Sequence, residues 1–281
     1  MKVVIEASAK LNLSLNIEGK RDDGYHLLSS VFQSIDFKNV LCCEEHKGFL
    51  FMCDDDKLPL DERNTAVRAV MKFAEKASIK PDVKITLSKK VPYGAGMGSA
   101  SSDAAAALCA MNIIYHDLLS EEELMETALS VGADVPFAYN GGTCFIEGIG
   151  EKLTRLKSIP ECAFLVVKPS YSVSTKEAYA LVDSAEGIRT DNASMLKAID
   201  EGDLRKIGEN MDNAFYHVLN FSKNEEIKGR MLAQGAAAAT LTGSGSAVFG
   251  LFEDTERALF AKKNIEGSFV VYPNKKSLYI K

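Results

Sequence analysis

Between residues 3 and 17 every odd position is apolar (Val3, Ile5, Ala7, Ala9, Leu11, Leu13, Leu15, Ile17), whereas the even positions from Glu6 to Glu18 are polar. A period of two sends alternate side chains to opposite faces, so this segment predicts a strand with one buried face and with Lys10 and Asn12 together on the other. Gly19-Lys20-Arg21-Asp22-Asp23-Gly24 predicts a turn, after which Tyr25 and His26 open the next element. Val67, Val70, Met71 and Ala74 recur at helical spacing, and Val83, Ile85 and Leu87 alternate as a strand. Three Ser-x-x-Glu pairs, Ser120 with Glu123, Ser174 with Glu177 and Ser222 with Glu225, read as capping boxes that start helices, the first ending near Gly132.

A stretch rich in glycine and charge at residues 148–160 interrupts the pattern. Beyond it, residues 163–168 read as a strand and 174–184 as the first of several helices. Thr240 and residues 247–252 read as two strands around a glycine turn, 255–263 as a helix and 269–272 as a strand. Apart from extra helices, the order β-α-β-β-α-β predicts a ferredoxin-like unit, so the chain is expected to be α+β and to divide near residue 155 into units 1–155 and 156–281. No internal repeat or low-complexity segment interrupts it.

Two glycine-rich segments carry candidate chemistry. The first, Pro92-Tyr93-Gly94-Ala95-Gly96-Met97-Gly98-Ser99-Ala100-Ser101-Ser102-Asp103, lies between a strand and an alanine-rich helix. Its glycines permit positive φ and close approach of a ligand to the backbone, and the helix start aims free N–H groups and the positive end of its dipole at the loop. It lacks the third glycine of a dinucleotide fingerprint and the Lys-Ser/Thr of a Walker A loop. It reads either as a polyphosphate cradle or as a flexible turn with Ser101 or Ser102 capping the helix. The second segment, Leu241-Thr242-Gly243-Ser244-Gly245-Ser246, reads alone as a hairpin turn. In Gly132-Ala133-Asp134-Val135-Pro136-Phe137, Asp134 is either a helix N-cap or, beside a bound phosphate, a general base. Lys10 is either a solvated lysine or the cation that polarises a nucleophile.

Composition acts mainly by exclusion. A chain of 281 residues removes about 73% of its extended surface from water on folding, ample for a core. With 33 basic and 39 acidic residues the formal charge is −6, and no Lys/Arg run accompanies it, which argues against duplex nucleic acid or an anionic membrane as main partner. A phosphate-bearing small molecule stays open, because backbone amides and one or two lysines can hold it. Cys42, Cys43, Cys53, Cys109, Cys144 and Cys162 show no C-x-x-C spacing and read as reduced, structural thiols. The start Met1-Lys2-Val3-Val4-Ile5-Glu6 meets an acid before a signal core forms, and no apolar run approaches the roughly 20 residues of a membrane span, so a cytoplasmic protein is expected.

Taken in order along nearly the whole chain, Lys10-Leu11-Asn12, Gly24-Tyr25-His26, the loop 92–103, the segment around Asp134 with Gly141-Gly142-Thr143, Gly148-Ile149-Gly150-Glu151, Lys168-Pro169 with Ser174-Thr175, and Thr242-Gly243-Ser244-Gly245-Ser246 resemble the GHMP small-molecule kinases. Gly24-Tyr25-His26 is similar to the branch that takes a cytidine-diphosphate sugar alcohol, rather than homoserine, mevalonate or galactose. Ser99 and Ala100 stand where many members carry further glycines.

The resemblance implies a ribosomal-S5-like amino-terminal domain, a ferredoxin-like carboxy-terminal domain and an active site in the cleft between them. It implies ATP-dependent phosphorylation of the 2-hydroxyl of a diphosphocytidyl methylerythritol in non-mevalonate isoprenoid precursor biosynthesis. ATP would lie on Pro92 through Ser102, accompanied by Mg²⁺ whose ligands no motif marks, with Ser102 as a candidate. Lys10 and Asp134 would form the catalytic pair, Tyr25 and Tyr179 would flank cytosine with His26 bonding its edge, and Asn12 and Thr175 would lie near the methylerythritol. The protein would act as a monomer or homodimer. Another acceptor within the same kinase family, and a non-catalytic nucleotide- or RNA-binding protein, are the alternatives.

Overall fold

The computed structural model describes residues 1–171, 173–185, 192–219 and 221–281. The chain opens with two long strands, β1 (Lys2–Lys20) and β2 (His26–Glu45), and a short β3 (Leu50–Cys53). Helix α1 (Thr65–Lys76), strand β4 (Val83–Ser88) and helices α2 (Ser99–Ile114), α3 (Glu121–Val131) and α4 (Val135–Asn140) follow, then the hairpin β5 (Thr143–Gly148) and β6 (Lys152–Arg155). Next come β7 (Ala163–Val167), α5 (Thr175–Asp183), α6 (Asn192–Glu201), α7 (Leu204–Glu209), the two-residue β8 (Asp212–Asn213), α8 (Ala214–Val218) and α9 (Ser222–Ala233). The chain ends with β9 (Ala238–Leu241), β10 (Val248–Phe252), α10 (Thr255–Asn264), β11 (Ser268–Val271) and β12 (Leu278–Ile280).

Two sheets organise these elements. The second, in the order β11-β7-β10-β9 with every pairing antiparallel, has the strand order of a ferredoxin-like unit, as the element order predicts. The first runs β12-β1-β2-β4-β3, with β5 and β6 added beside β2 and β8 beside β1. Two of its strands, β8 and β12, therefore come from the second half of the chain; Ile5 pairs with Ile280 and Ser14 with Asp212.

The apolar row of β1 serves three cores in succession. Val3, Ile5 and Ala7 pack with α1 to α4, Ala9, Leu11 and Leu13 pack against Phe164, Val166 and Phe249 of the second sheet, and Leu15 joins Phe215 and Leu241. Register shifts against β2 between Ser8 and Lys10 and between Asn12 and Ser14 turn the strand between these environments, as bulges do. The expectation of a single buried face fails, because Ser8, Lys10, Asn12, Ser14 and Asn16 are also less than 9% exposed. Their polar atoms are buried at a low cost because both glycine loops and the Ser29–Ser30 edge of β2 supply hydrogen-bond partners.

Helix boundaries follow the capping signals where the cap is free to act. Ser120 and Glu123 make the reciprocal capping box of α3, and Ser174 caps α5. Ser222 does not cap: Phe221 holds the N-cap position of α9 and Ser222 is already helical, while the Glu225 carboxylate accepts from the Tyr216 hydroxyl at 2.5 Å. Helix α2 is buried almost all round, and its Ala104 to Ala107 run has no exposed surface. Small side chains let neighbouring backbones approach there, which polar spacing could not have signalled. No helix among the described residues is long and apolar enough to cross a membrane.

Candidate active site

The two glycine segments, far apart in sequence, lie back to back. Gly94, Gly96 and Gly98 have φ of 65°, 74° and 69°, and Gly243 and Gly245 have 57° and 95°. Gly96 admits no side chain because a Cβ would lie 2.0 Å from the Thr242 carbonyl oxygen, and a Cβ on Gly98 would meet Lys10 Cγ at 2.9 Å. The close approaches that these two glycines permit are thus to protein, to the second loop and to Lys10. Hydrogen bonds from the Thr242 hydroxyl to Gly96 O (3.1 Å), from Ala247 N to Ala95 O (3.2 Å) and from Lys10 N to Met97 O (3.0 Å) lock the loops to each other and to β1.

Within the first loop the side chains divide by role. Ala95 and Met97 are core residues, whereas Tyr93 is 66% exposed. Gly98, in the left-handed conformation, is the N-cap of α2 and no side chain caps the helix. Neither Ser101 nor Ser102 is the cap, because both lie inside the first turns, where the Ser102 hydroxyl donates to Ser8 O at 2.6 Å with Gly98 O at 3.1 Å. The first amides of a sixteen-residue helix therefore start uncapped at the loop.

Lys10 reaches this place from the polar row of β1. Its ammonium donates to Asn12 Oδ1 at 2.5 Å, sits 4.5 Å above the Phe32 ring and faces Asp134 Oδ2 at 4.0 Å. Burial lowers the Lys10 pKa from the ordinary lysine value, and the nearby Asp134 charge opposes that shift. Asp134 occupies the N-cap position of α4 but makes no capping hydrogen bond; its carboxylate, about one-third exposed, points to Lys10 instead. A narrow crevice joins Lys10, Gly98, Ser101, Ser102 and Asp134. Asn12 has no exposed surface, and its side chain is occupied by Lys10, Ser30, Thr242 and Gly243 N. It works as a tie between β1 and the second glycine loop.

A cleft of roughly 260 Å³ opens from this crevice and is lined by Lys10, Phe32, Asp134, Thr175, Tyr179 and Phe215, among others. Thr175 hydrogen-bonds Ser244 of the second loop at 3.0 Å. Tyr25 is 61% exposed. The His26 ring stacks on Tyr179 with centroids 4.3 Å apart and planes 20° apart, and its Nε2 lies 2.5 Å from Asp183 Oδ1. One face of Tyr179 is thus covered by His26, and the Phe215 ring packs against Tyr179 at 5.0 Å with planes 84° apart. A second cleft, about 170 Å³, is lined by Lys57, Arg63, Thr65, Lys89, Tyr93 and Ala100, among others.

One part of the site has no local signal in the sequence. Lys89 forms a buried ion pair with Asp103, and both side chains are at most 6% exposed. Lys89 also donates to Ser99 Oγ at 2.6 Å, while Asn39 donates to Asp103 at 2.7 Å and accepts from Val91 N at 2.9 Å. Desolvation raises the Asp103 pKa even though Lys89 pulls it down. These groups come from β2, the end of β4 and α2, and only the fold assembles them. The six cysteines are free, and burial pushes the Cys43 and Cys162 thiols up to about 12 and Cys144 up to about 11. Among the described residues no three His, Cys, Asp or Glu side chains converge as a metal cage would require.

An S5-like sheet with helices and a ferredoxin-like partner joined at two glycine loops is the architecture of a small-molecule kinase, and the comparisons agree. Family models for the GHMP kinases N terminal domain and GHMP kinases C terminal match residues 64–142 and 195–270. The chain belongs to the GHMP kinase family. It is 39% identical, over 97% of its length and 95% of the relative's, to the 4-diphosphocytidyl-2-C-methyl-D-erythritol kinase of Caldanaerobacter subterraneus subsp. tengcongensis. It is 40% identical to the protein of the same name from Clostridium novyi, over 90% and 91% of the two chains. A crystal structure of 4-(cytidine 5'-diphospho)-2C-methyl-D-erythritol kinase superposes with a TM-score of 0.82 at 30% identity, covering 98% of this chain and 99% of that one. Homoserine kinase from Cytophaga hutchinsonii, with a TM-score of 0.78 but 19% identity, shares the fold.

Proposed function

We propose that the protein transfers the γ-phosphoryl group of ATP to the 2-hydroxyl of 4-diphosphocytidyl-2-C-methyl-D-erythritol, an isoprenoid-precursor step. The observation that carries this reading is the Lys10–Asp134 pair, 4.0 Å apart, beside the uncapped start of α2 and lining a cleft. One cleft suits the base and ribose of ATP beside Tyr93, and the other suits the acceptor. The β- and γ-phosphates lie against the first amides of α2, where the helix end favours negative charge.

Asp134 accepts the proton of the attacking hydroxyl. The new O–P bond forms as the bond from the γ-phosphorus to the bridging oxygen breaks, and ADP departs. Lys10 neutralises the developing oxyanion from a site where water is scarce, so its charge acts at low screening. Most of the rate enhancement comes from in-line positioning and charge stabilisation. Mg²⁺ would accompany ATP and would supply neutralisation of its phosphate charge, with Ser102 at the start of α2 as the candidate protein ligand. Tyr25, which is exposed, stacks on the cytosine, while His26, backed by Tyr179, reads its edge, and Thr175 lies by the methylerythritol. Asn12 acts by placing Lys10 and the second loop. The two functional units divide near residue 155, with the end of the chain returning to the first sheet through β12.

The test is phosphotransfer with Mg-ATP and the cytidine substrate beside homoserine and mevalonate. The 2-phosphate and ADP are expected from the cytidine substrate alone. Turnover of homoserine or mevalonate in its place would overturn the acceptor assignment.

A further inference from the structure

We infer that Asp183 is a positioning residue that sets the tautomer of His26 and thereby makes the acceptor site select cytosine over uracil. The inference rests on the reading that His26 faces the base of a cytidine diphosphate. Asp183, the last residue of α5, accepts from His26 Nε2 at 2.5 Å through Oδ1, and from Lys20 at 2.5 Å through Oδ2. The same two hydrogen bonds hold its carboxyl below the usual range. An ionised carboxylate is acceptor only, so Nε2 carries the hydrogen and the neutral ring presents a lone pair at Nδ1. Among the described residues nothing hydrogen-bonds Nδ1, and the stack on Tyr179 fixes the plane of the ring. The 4-position is an amino donor in cytosine and a carbonyl acceptor in uracil. A lone pair at Nδ1 bonds the first and repels the second.

Lys20 makes the proposal sharp. In Asp183→Asn the amide has one oxygen, which the Lys20 ammonium claims, so the NH₂ turns to His26 Nε2. That strands the ring in the Nδ1–H form, as an amide does when it replaces the aspartate of a catalytic triad. Asp183→Glu retains the carboxylate and the original tautomer.

The experiment measures binding of CDP and UDP to the full chain by calorimetry, the ¹⁵N shifts of His26, and KM and kcat with the cytidine substrate. Wild type is expected to prefer CDP by about tenfold or more, the ratio that one lost hydrogen bond of this kind sets, with His26 as Nε2–H. Asp183→Asn is expected to invert or erase the preference, to show Nδ1–H, and to raise KM about tenfold with kcat changed less than threefold; Asp183→Glu is expected to restore the wild-type pattern. Retention of the CDP preference and of the Nε2–H signature in Asp183→Asn would overturn the role of Asp183 while leaving the cytidine reading standing. Failure of wild type to bind CDP would overturn both.

Discussion

Two lysine–aspartate pairs flank the same glycine loop, and they are built differently. Lys89 and Asp103 are in contact, almost wholly buried, and share further hydrogen bonds with Asn39 and Ser99. Lys10 and Asp134 are 4.0 Å apart, and the aspartate is one-third exposed to a cleft. The first pair is in direct contact and is further held by Asn39 and Ser99; the second keeps a gap between its charges and an open side. A buried ion pair with every partner satisfied costs about as much desolvation as it returns in attraction, so its contribution is to hold a particular geometry. An incompletely satisfied pair beside a cleft is where a substrate finds its partners. Proximity of unlike charges therefore does not tell the two pairs apart; separation and exposure do, and they favour Lys10 and Asp134 as the pair proposed to act.

The sharpest way to break the comparison is Asp134→Ala. The rate of phosphotransfer is expected to fall by about 10²–10⁴, the usual worth of a positioned general base, while ATP binding by titration and the melting temperature stay near wild type. Lys10→Met comes next: kcat is expected to fall by about 10²–10³, as for loss of one charge-stabilising donor. Its thermal stability is expected to hold or rise in calorimetry, because Lys10 is 6% exposed and a buried charge is expensive. Lys89→Met should do the reverse. It leaves Asp103 buried without its cation and is expected to cost about 3–5 kcal/mol in denaturant unfolding, with the activity loss appearing mainly in KM for ATP. Lys89→Met with Asp103→Leu is expected to recover part of that stability. Unchanged unfolding in Lys89→Met would sink the structural assignment of that pair.

The smallest effect is on pH. In the proposed mechanism the protonated Lys10 acts, and burial lowers its pKa from 10.5 despite the opposing pull of Asp134. As pH rises, Lys10 loses its proton before an exposed lysine would, so the alkaline limb of kcat is expected to fall below 10.5. A limb that stays at or above that value in a pH–rate profile would show that Lys10 is not the titrating cation.

The strand and helix pattern was legible where one face of an element meets one environment. Val67, Val70 and Ala74 of α1 and the Ser120–Glu123 box are such cases, as is the ferredoxin-like strand order. It was misleading for β1, whose polar row is buried among loops from residues 92–98 and 242–246. It was also misleading at Ser222, where the glutamate that would complete the box is taken by Tyr216. Lys10, Asp134 and the two glycine loops could be named from residues and their resemblance to a family. Their mutual distances could not, because they depend on register shifts in β1 and on backbone contact between segments about 150 residues apart.

By itself, then, the sequence determined the class of elements, the glycine-rich segments, a net charge of −6 without a Lys/Arg run and, through its resemblance to a family, the candidate groups for phosphoryl transfer. Local sterics and periodicity settle the elements and the glycine turns within a few residues. Only the tertiary structure decided that Lys89 is buried against Asp103 while Lys10 faces a cleft, that Gly96 is small for the sake of Thr242, and that His26 lies on Tyr179 with Asp183 at its edge. The physical reason is that burial and hydrogen-bond satisfaction belong to pairs of distant segments, and no property of either segment alone contains them.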